Sequence, residues 1–311
     1  MSNITTTTET ANLQAYMYKK ALENFRAKLY FYDMWEKAVW EDGNYTIKWL
    51  KFNKLSLTHS SAELNEWSTP SEQNFGATTV SATPKQFGEY VILTDMLLDT
   101  DPISYVDGAV DEIGDNMARI IDDYIQDTID AWSNVLFPWA ITQRSSLTSA
   151  STFSAAHLNL ARTKLEAAGV PKIDWQYVAI MHPLVYHDLL AESGTNTFID
   201  IAKYSAPDRI FRWEVGSLFG VRIIVSWNVK YYTDAGSGGT VDVYPTYVIG
   251  KGAYWVPMLQ NITTYITPRQ ATDSDPLAQR IKVWAKVAFA CKILQSDALW
   301  RVETATSLWA N

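Results

Sequence analysis

Four histidines and a run of aspartates are the side chains with which this 311-residue chain could do chemistry. His182 and His187 stand five residues apart, about 140° around a helix, whereas two zinc ligands on one helical face want an i,i+4 spacing. They read as ordinary helix-start and helix residues; His59 and His157 are the other two. Asp122, Asp123, Asp127 and Asp130 crowd one stretch. Asp123, Asp127 and Asp130 share a helical face, which could suit a divalent cation. A solvated face, or ion pairing to another chain, is the preferred reading, because no further ligand converges on them in the sequence. A metal-dependent hydrolase built on these His and Asp groups is therefore the weakest functional class.

Other catalytic signatures are absent. No Gly-x-Ser-x-Gly, Walker loop or dinucleotide fingerprint occurs. The segment 250–254 (Gly-Lys-Gly-Ala-Tyr) lacks the rest of a phosphate loop and reads as a turn between strands. Two glycosylation sequons, at 44–46 and 261–263, carry no meaning without a secretory leader, and the Thr-rich start has neither a basic nor an apolar core. The single cysteine, Cys291, lies in an apolar strand-like run; it excludes an internal disulfide framework and fits a reducing compartment. The sequence therefore assigns no catalytic, cofactor-binding or metal-binding residue, and an enzyme is not expected.

Composition narrows the class further. Apolar residues make up 47% of the chain, too many for a disordered tail. Thirteen Trp and seventeen Tyr imply extensive buried contact, within a chain or between chains. A net charge of −8 argues against a protein that grips nucleic acid by neutralising phosphates. No apolar run reaches the roughly 18 residues of a membrane span, so a soluble protein is expected.

The element that organises the rest runs from Thr100 to about Leu136. Val106, Val110, Ile113, Met117, Ile120, Ile121, Tyr124, Ile125, Ile129, Trp132 and Val135 recur at helical spacing. Asp101 and Pro102 suit its start, and the early acids suit the positive end of the dipole. A helix of about 30 residues, about 45 Å long, is predicted. Its heptad is not sustained, so it reads as a spine for sheets and not as a coiled coil.

Upstream, Leu13–Trp40 combines helical spacing with a very aromatic end, an arm whose Phe31, Trp35 and Trp40 need a surface to cover them. From Tyr45 the period changes to two and continues to Leu57. A second alternating run spans Thr78–Leu93, after a polar stretch holding Pro70 and Gly76. These predict a long β-hairpin projecting from the body, and a two-stranded ribbon is marginal alone in water.

Downstream, Ser145–Ser154 is a Ser/Thr-rich boundary, followed by a helix to Ala168 stopped by Gly169 and Pro171. Tyr177–Met181 is a buried strand, Pro183–Glu192 a helix, Val221–Val225 and Tyr247–Gly250 strands. The Gly-rich 236–239 segment is a flexible hairpin tip. Two long strands close the chain.

Four segments, in order, carry a resemblance. They are 85–97 (Lys-Gln-Phe-Gly-Glu-Tyr-Val-Ile-Leu-Thr-Asp-Met-Leu), 182–190 (His-Pro-Leu-Val-Tyr-His-Asp-Leu-Leu) and the Gly-x-x-x-Gly-Val-Arg step within 209–224. The fourth is 275–280 (Asp-Pro-Leu-Ala-Gln-Arg), continued by Val-Trp-Ala-Lys-Val-Ala-Phe-Ala-Cys-Lys-Ile-Leu at 283–294. Together they resemble tailed-phage major capsid proteins of the kind found in the N4-like podophage group. The resemblance implies an α+β fold of the Hong Kong-97 capsid type. It implies an N-terminal arm (1–44), an extended hairpin loop (45–93), and a peripheral domain with the spine helix and long strands (94–150 and 262–311). An inserted α/β axial domain (151–261) completes the division.

The function implied is a structural shell protein, self-assembled in hexamers and pentamers around double-stranded DNA that it does not bind sequence-specifically. Portal and scaffolding or decoration proteins are the further partners implied. The location implied is the virion, with assembly in the bacterial cytoplasm and no membrane. Phe31, Trp35, Trp40, Trp49, Trp67 and Phe75 are the candidate inter-subunit contacts, and removal of residues 1–40 should leave a soluble body that assembles poorly. An acidic balance suits the lining of a DNA container, since contacts to phosphate would resist filling and ejection. Some shells of this type are welded by Lys–Asn bonds, but Lys48, Lys51 and Lys54 read more simply as charges that keep an edge strand from mispairing. An encapsulin-like compartment of the same fold, holding enzyme cargo, is the nearest alternative.

Overall fold

The computed structural model describes residues 29–32, 46–52, 63, 72, 75–100, 105–139, 141–192, 216–267, 271 and 275–308. The projecting ribbon consists of β1 (Ile47–Phe52) and β2 (Ala77–Ala82), paired antiparallel from Ile47 opposite Ala82 to Phe52 opposite Ala77. The alternating run that the sequence presents as one strand is in fact two. Thr83 and Pro84 separate β2 from β3 (Lys85–Thr94), because proline has no N–H to give a ladder. Only β2 belongs to the ribbon; β3 turns back into the body.

A short helix α1 (Asp95–Thr100) precedes the spine α2 (Tyr105–Asp130), 26 residues long. The spine is shorter than its apolar pattern, because Val135 and Leu136 form a strand, β4, and not a last helical turn. Val110, Ile113, Met117, Ile121, Ile125 and Ile129 form its buried stripe. Two polar residues interrupt that stripe, and each holds an irregular segment by its backbone. Asp122 accepts the N–H groups of Tyr30 and Phe31 at 2.9 and 3.3 Å. Gln126 donates to the Asn228 carbonyl at 2.9 Å and accepts from Lys230 N–H at 2.8 Å.

The middle of the chain adds α3 (Ala155–Ala167), β5 (Tyr177–Met181), α4 (Pro183–Ala191), β6 (Ser217–Leu218), β7 (Val221–Val225) and β8 (Tyr244–Ile249). Ser154 and His157 form a reciprocal cap at the start of α3, and Gly169 follows its end in the left-handed region. Then come β9 (Tyr254–Trp255), β10 (Met258–Thr267), β11 (Arg280–Phe289), β12 (Lys292–Ile293) and β13 (Leu299–Thr304). The Gly-rich segment is no free tip: Ser237 N–H donates to the Leu147 carbonyl at 2.7 Å, and a Cβ on Gly236 would stand 2.8 Å from that oxygen.

Two sheets carry the body. The three-stranded sheet runs β10-β11-β3, all antiparallel, with α2 on one face. The six-stranded sheet runs β4-β13-β8-β5-β7-β6, mixed in direction, with α3 against β13 and β8. The last strand, β13, pairs with β8 from Leu299 opposite Ile249 to Thr304 opposite Tyr244, which ties the C-terminal segment to the sheet of the 151–261 segment. One continuous apolar core joins the two sheets through the spine.

Candidate assembly surface

The base of the ribbon is held by the body. Trp49 packs on Trp255 with ring centroids 5.4 Å apart, and Ile47 and Leu294 close around Trp255, Ala82 and Ala290. Farther out, Phe52 and Phe75 stack at 5.0 Å yet remain 54% and 63% exposed. Leu50 is exposed beside them. Alternation explains the contrast: Ile47 and Trp49 turn one face of β1 toward the body, whereas Leu50 and Phe52 lie on the other face. Lys48 and Lys51 lie exposed on the same strand, with Lys51 Nζ 3.5 Å from the Leu294 carbonyl. Trp35, Trp40, Trp67, Lys54 and His59 lie outside the described residues.

A second apolar surface is the face of the three-stranded sheet turned away from the spine. Its register places Tyr265 opposite Trp284 and Trp284 opposite Tyr90, an aromatic row across three strands. Tyr265 and Trp284 have ring centroids 5.6 Å apart, and Tyr90 is 65% exposed. Neighbouring rows place Lys282 between Thr267 and Ile92, and Lys286 between Thr263 and Gly88. The row edges a shallow groove of about 420 Å³. Strand parity assigns this face to Tyr90, Ile92, Arg280, Lys282, Trp284 and Lys286, while Phe87, Val91, Val283, Val287 and Phe289 face the spine.

Phe31 corrects an expectation. It is buried in the chain's own core, edge-on to Tyr247 at 5.4 Å, and its carbonyl accepts the Tyr254 hydroxyl. It cannot present itself to another copy while it sits there. The neighbouring Leu29 is buried too. Sequence reasoning assigned both to the arm because nothing local distinguishes an aromatic destined for the same chain's core from one destined for a partner.

Two aspartates of the spine find cations within the chain. Lys230 Nζ pairs with Asp127 at 2.5 Å and donates to the Asp123 carbonyl at 3.1 Å. Asp130 accepts the Tyr247 hydroxyl at 2.6 Å and pairs with Arg301 at 3.3 Å. Burial pushes the Tyr247 hydroxyl well above its ordinary range, so it stays a donor. Glu303 receives Arg144 in a fork at 2.6 and 2.7 Å, and the charge of Arg301 stands beside it with Nε 2.8 Å away. Asp127 and Asp130 are thus joined to cations of the same chain, on elements too distant in sequence for the spacing to reveal, while Asp127 stays 65% exposed, in keeping with the solvated face expected. Among the described residues no group of His, Cys, Asp or Glu is arranged to hold a metal ion.

Two of the histidines serve helix starts. His157 bonds the backbone N–H of Ser154 at 3.1 Å, and burial lowers its pKa. His182 caps α4, accepting Leu184 N–H at 3.3 Å, and burial lowers its pKa as well. His187 lies exposed on the helix, 3.7 Å from Asp188. Burial raises the Cys291 thiol to about 12, so it remains protonated.

A spine under an antiparallel sheet, a mixed second sheet and a projecting ribbon together define the fold of tailed-phage capsid subunits, the Hong Kong-97 type. The capsid of Ralstonia phage GP4 is similar over 90% of this chain and 91% of its own, with a TM-score of 0.72 at 14% identity. The Cyanophage Pam1 capsid is similar over 86% and 87%, TM-score 0.68, 12% identity. The acid-stable capsid of Helicobacter pylori bacteriophage KHP30 is similar over 89% and 91%, TM-score 0.65, 11% identity. No curated protein matches this chain in sequence. Residues 77–302 match the phage capsid protein family, and the chain belongs to it. Its role is that of a structural capsid subunit, as the resemblance implied; the match is to the family and does not single out the N4-like group.

Proposed function

We propose that many copies of this chain close into an icosahedral shell around double-stranded phage DNA, each laying its ribbon across a neighbour. The observation that carries this reading is the pair of surfaces left in water. The described part of the ribbon carries a stacked Phe52–Phe75 pair that no described residue covers, and the three-stranded sheet displays a Tyr265–Trp284–Tyr90 row with Arg280, Lys282 and Lys286 around it. Glu63, Glu66 and Glu72, in the segment between the ribbon strands, have the charge that those cations would attract. Each contact need be only modest, since a closed shell repeats it by symmetry. Portal and scaffolding or decoration proteins complete the set of partners, and assembly takes place in the bacterial cytoplasm. A net charge of −8 suits a container that must release its DNA. Electron microscopy and sedimentation of the purified chain test the reading: closed shells are expected, and a monomer that stays compact at high concentration overturns it.

A further inference from the structure

The turn that leads into β5 is built against the preferences of its own residues. Ile173 and Gln176 exchange two backbone hydrogen bonds of 2.9 Å, and the residues between them, Asp174 and Trp175, have φ values of 47° and 69°. A two-residue turn with both central residues at positive φ is normally filled by Asn-Gly or Asp-Gly. Asp174 fits that rule. Trp175 does not: a bulky side chain in the left-handed region carries a steric cost that glycine avoids.

The side chain gains nothing locally in return, since Trp175 is 93% exposed. It is not on a loose loop. Lys251 N–H donates to the Pro171 carbonyl at 3.0 Å, Tyr177 hydroxyl to the Val170 carbonyl at 2.8 Å, and Tyr177 N–H to the Gly220 carbonyl at 3.2 Å. Gly250 approaches Val170 so closely that a Cβ there would stand 2.4 Å from its Cγ1. The neighbouring turn at the same end of the six-stranded sheet holds Phe219 at φ 51°. Trp175 therefore projects from a fixed platform, with its backbone set before any encounter.

A conformational cost and an uncovered indole at one position, with no return among the described residues, locate the return outside the subunit. Rigid aromatic anchors that lose little freedom on docking dominate protein interfaces. We infer that Trp175 is an inter-subunit anchor that inserts into an adjacent copy of this chain in the assembled shell. The inference rests on the shell reading, which makes other copies the surface most often presented to this one. It uses none of the residues of the ribbon or of the three-stranded sheet, so it is a separate contact.

Two measurements test it. Hydroxyl-radical footprinting, read by mass spectrometry, compares Trp175 in wild-type subunits below the assembly concentration and in shells. Strong labelling in the free subunit and roughly tenfold slower labelling in shells are expected, because hot-spot aromatics are sealed from water. In parallel, Trp175→Asn and Trp175→Gly remove the indole and relax the turn. They should leave the melting temperature of the free subunit unchanged or higher, yet raise the concentration needed for assembly by about tenfold or more. Equal labelling in both states, an unchanged assembly concentration, or a lower melting temperature in both variants would each overturn the anchor. Wild-type chain that forms no shells at all would instead defeat the shell reading itself.

Discussion

Tyr30 donates its backbone N–H to the buried carboxylate of Asp122 across 2.9 Å, although the two residues are 92 positions apart. Burial raises this carboxyl to about 7, against the pull of the backbone N–H groups of Tyr30, Phe31 and Tyr32 and with Asp123 adding to the rise. The folded chain therefore holds a proton that the unfolded chain releases near pH 4. Stability from this group is present below the unfolded value and falls as pH rises from about 4 to about 7. The free subunit should gain on acidification from about pH 8 to about pH 5, by at most about 3 kcal/mol from this group. Asp122→Asn keeps an acceptor for Tyr30 and removes the ionisation, so its melting temperature should vary less with pH. Identical pH profiles for the two proteins would refute this role.

The same short segment changes what a truncation should do. Leu29 and Phe31 are core residues, so removal of residues 1–40 deletes part of the core as well as the arm. Phe31→Ala should cost about 3–5 kcal/mol, seen as a lower urea midpoint. Removal of residues 1–28 should leave that midpoint within about 0.5 kcal/mol, since it spares every described contact. An equal loss in both proteins would show that the stabilising surface lies upstream of Leu29.

Short-range signals made much of this architecture legible. The Ser154 start and Gly169 stop bracket α3, the all-apolar run Tyr177–Met181 is a central strand, and the 3.6-residue stripe marks the spine. The failures have a common cause. Val135 and Leu136 continue the helical pattern but pair with β13, some 166 residues later. Phe31 reads like its neighbours in the arm, yet Asp122 and Tyr254 hold it in the core. Trp49 and Phe75 were legible as exposed-type aromatics on a ribbon, but only the register shows that Trp49 reaches the body while Phe75 does not. Periodicity records which face of an element is apolar; it does not record which distant partner covers that face.

Arg144 and Glu303 join the segment after the spine to the last strand by two bonds of 2.6 and 2.7 Å. Glu303 is 1% exposed, and Arg144 also lies over the Tyr232 ring at 3.6 Å. Removing one partner of a buried pair leaves an uncompensated charge. Arg301 still faces Glu303 at 2.8 Å, which limits the damage. Arg144→Ala should therefore destabilise the subunit by about 2–3 kcal/mol. Arg144→Ala/Glu303→Gln should recover part of that loss, because the stranded charge is gone. A double variant no more stable than the additive sum would show that the pair is not coupled.

The ribbon separates folding from assembly most sharply, because its two aromatic positions differ in what covers them. Trp49 meets Trp255 and fixes the ribbon to the body, so Trp49→Ala should lower the melting temperature of the free subunit, at a cost of about 2 kcal/mol or more for a partly buried indole. Among the described residues Phe52 and Phe75 cover only each other, and they lie largely in water. Phe52→Ser/Phe75→Ser should hold the melting transition of the free subunit within about 0.5 kcal/mol of wild type. If their stack is what the next subunit receives, the same pair of changes should abolish closed shells in electron micrographs or raise the concentration at which they form. Shells of normal number and shape from the double serine variant would place the receiving contact elsewhere on the ribbon.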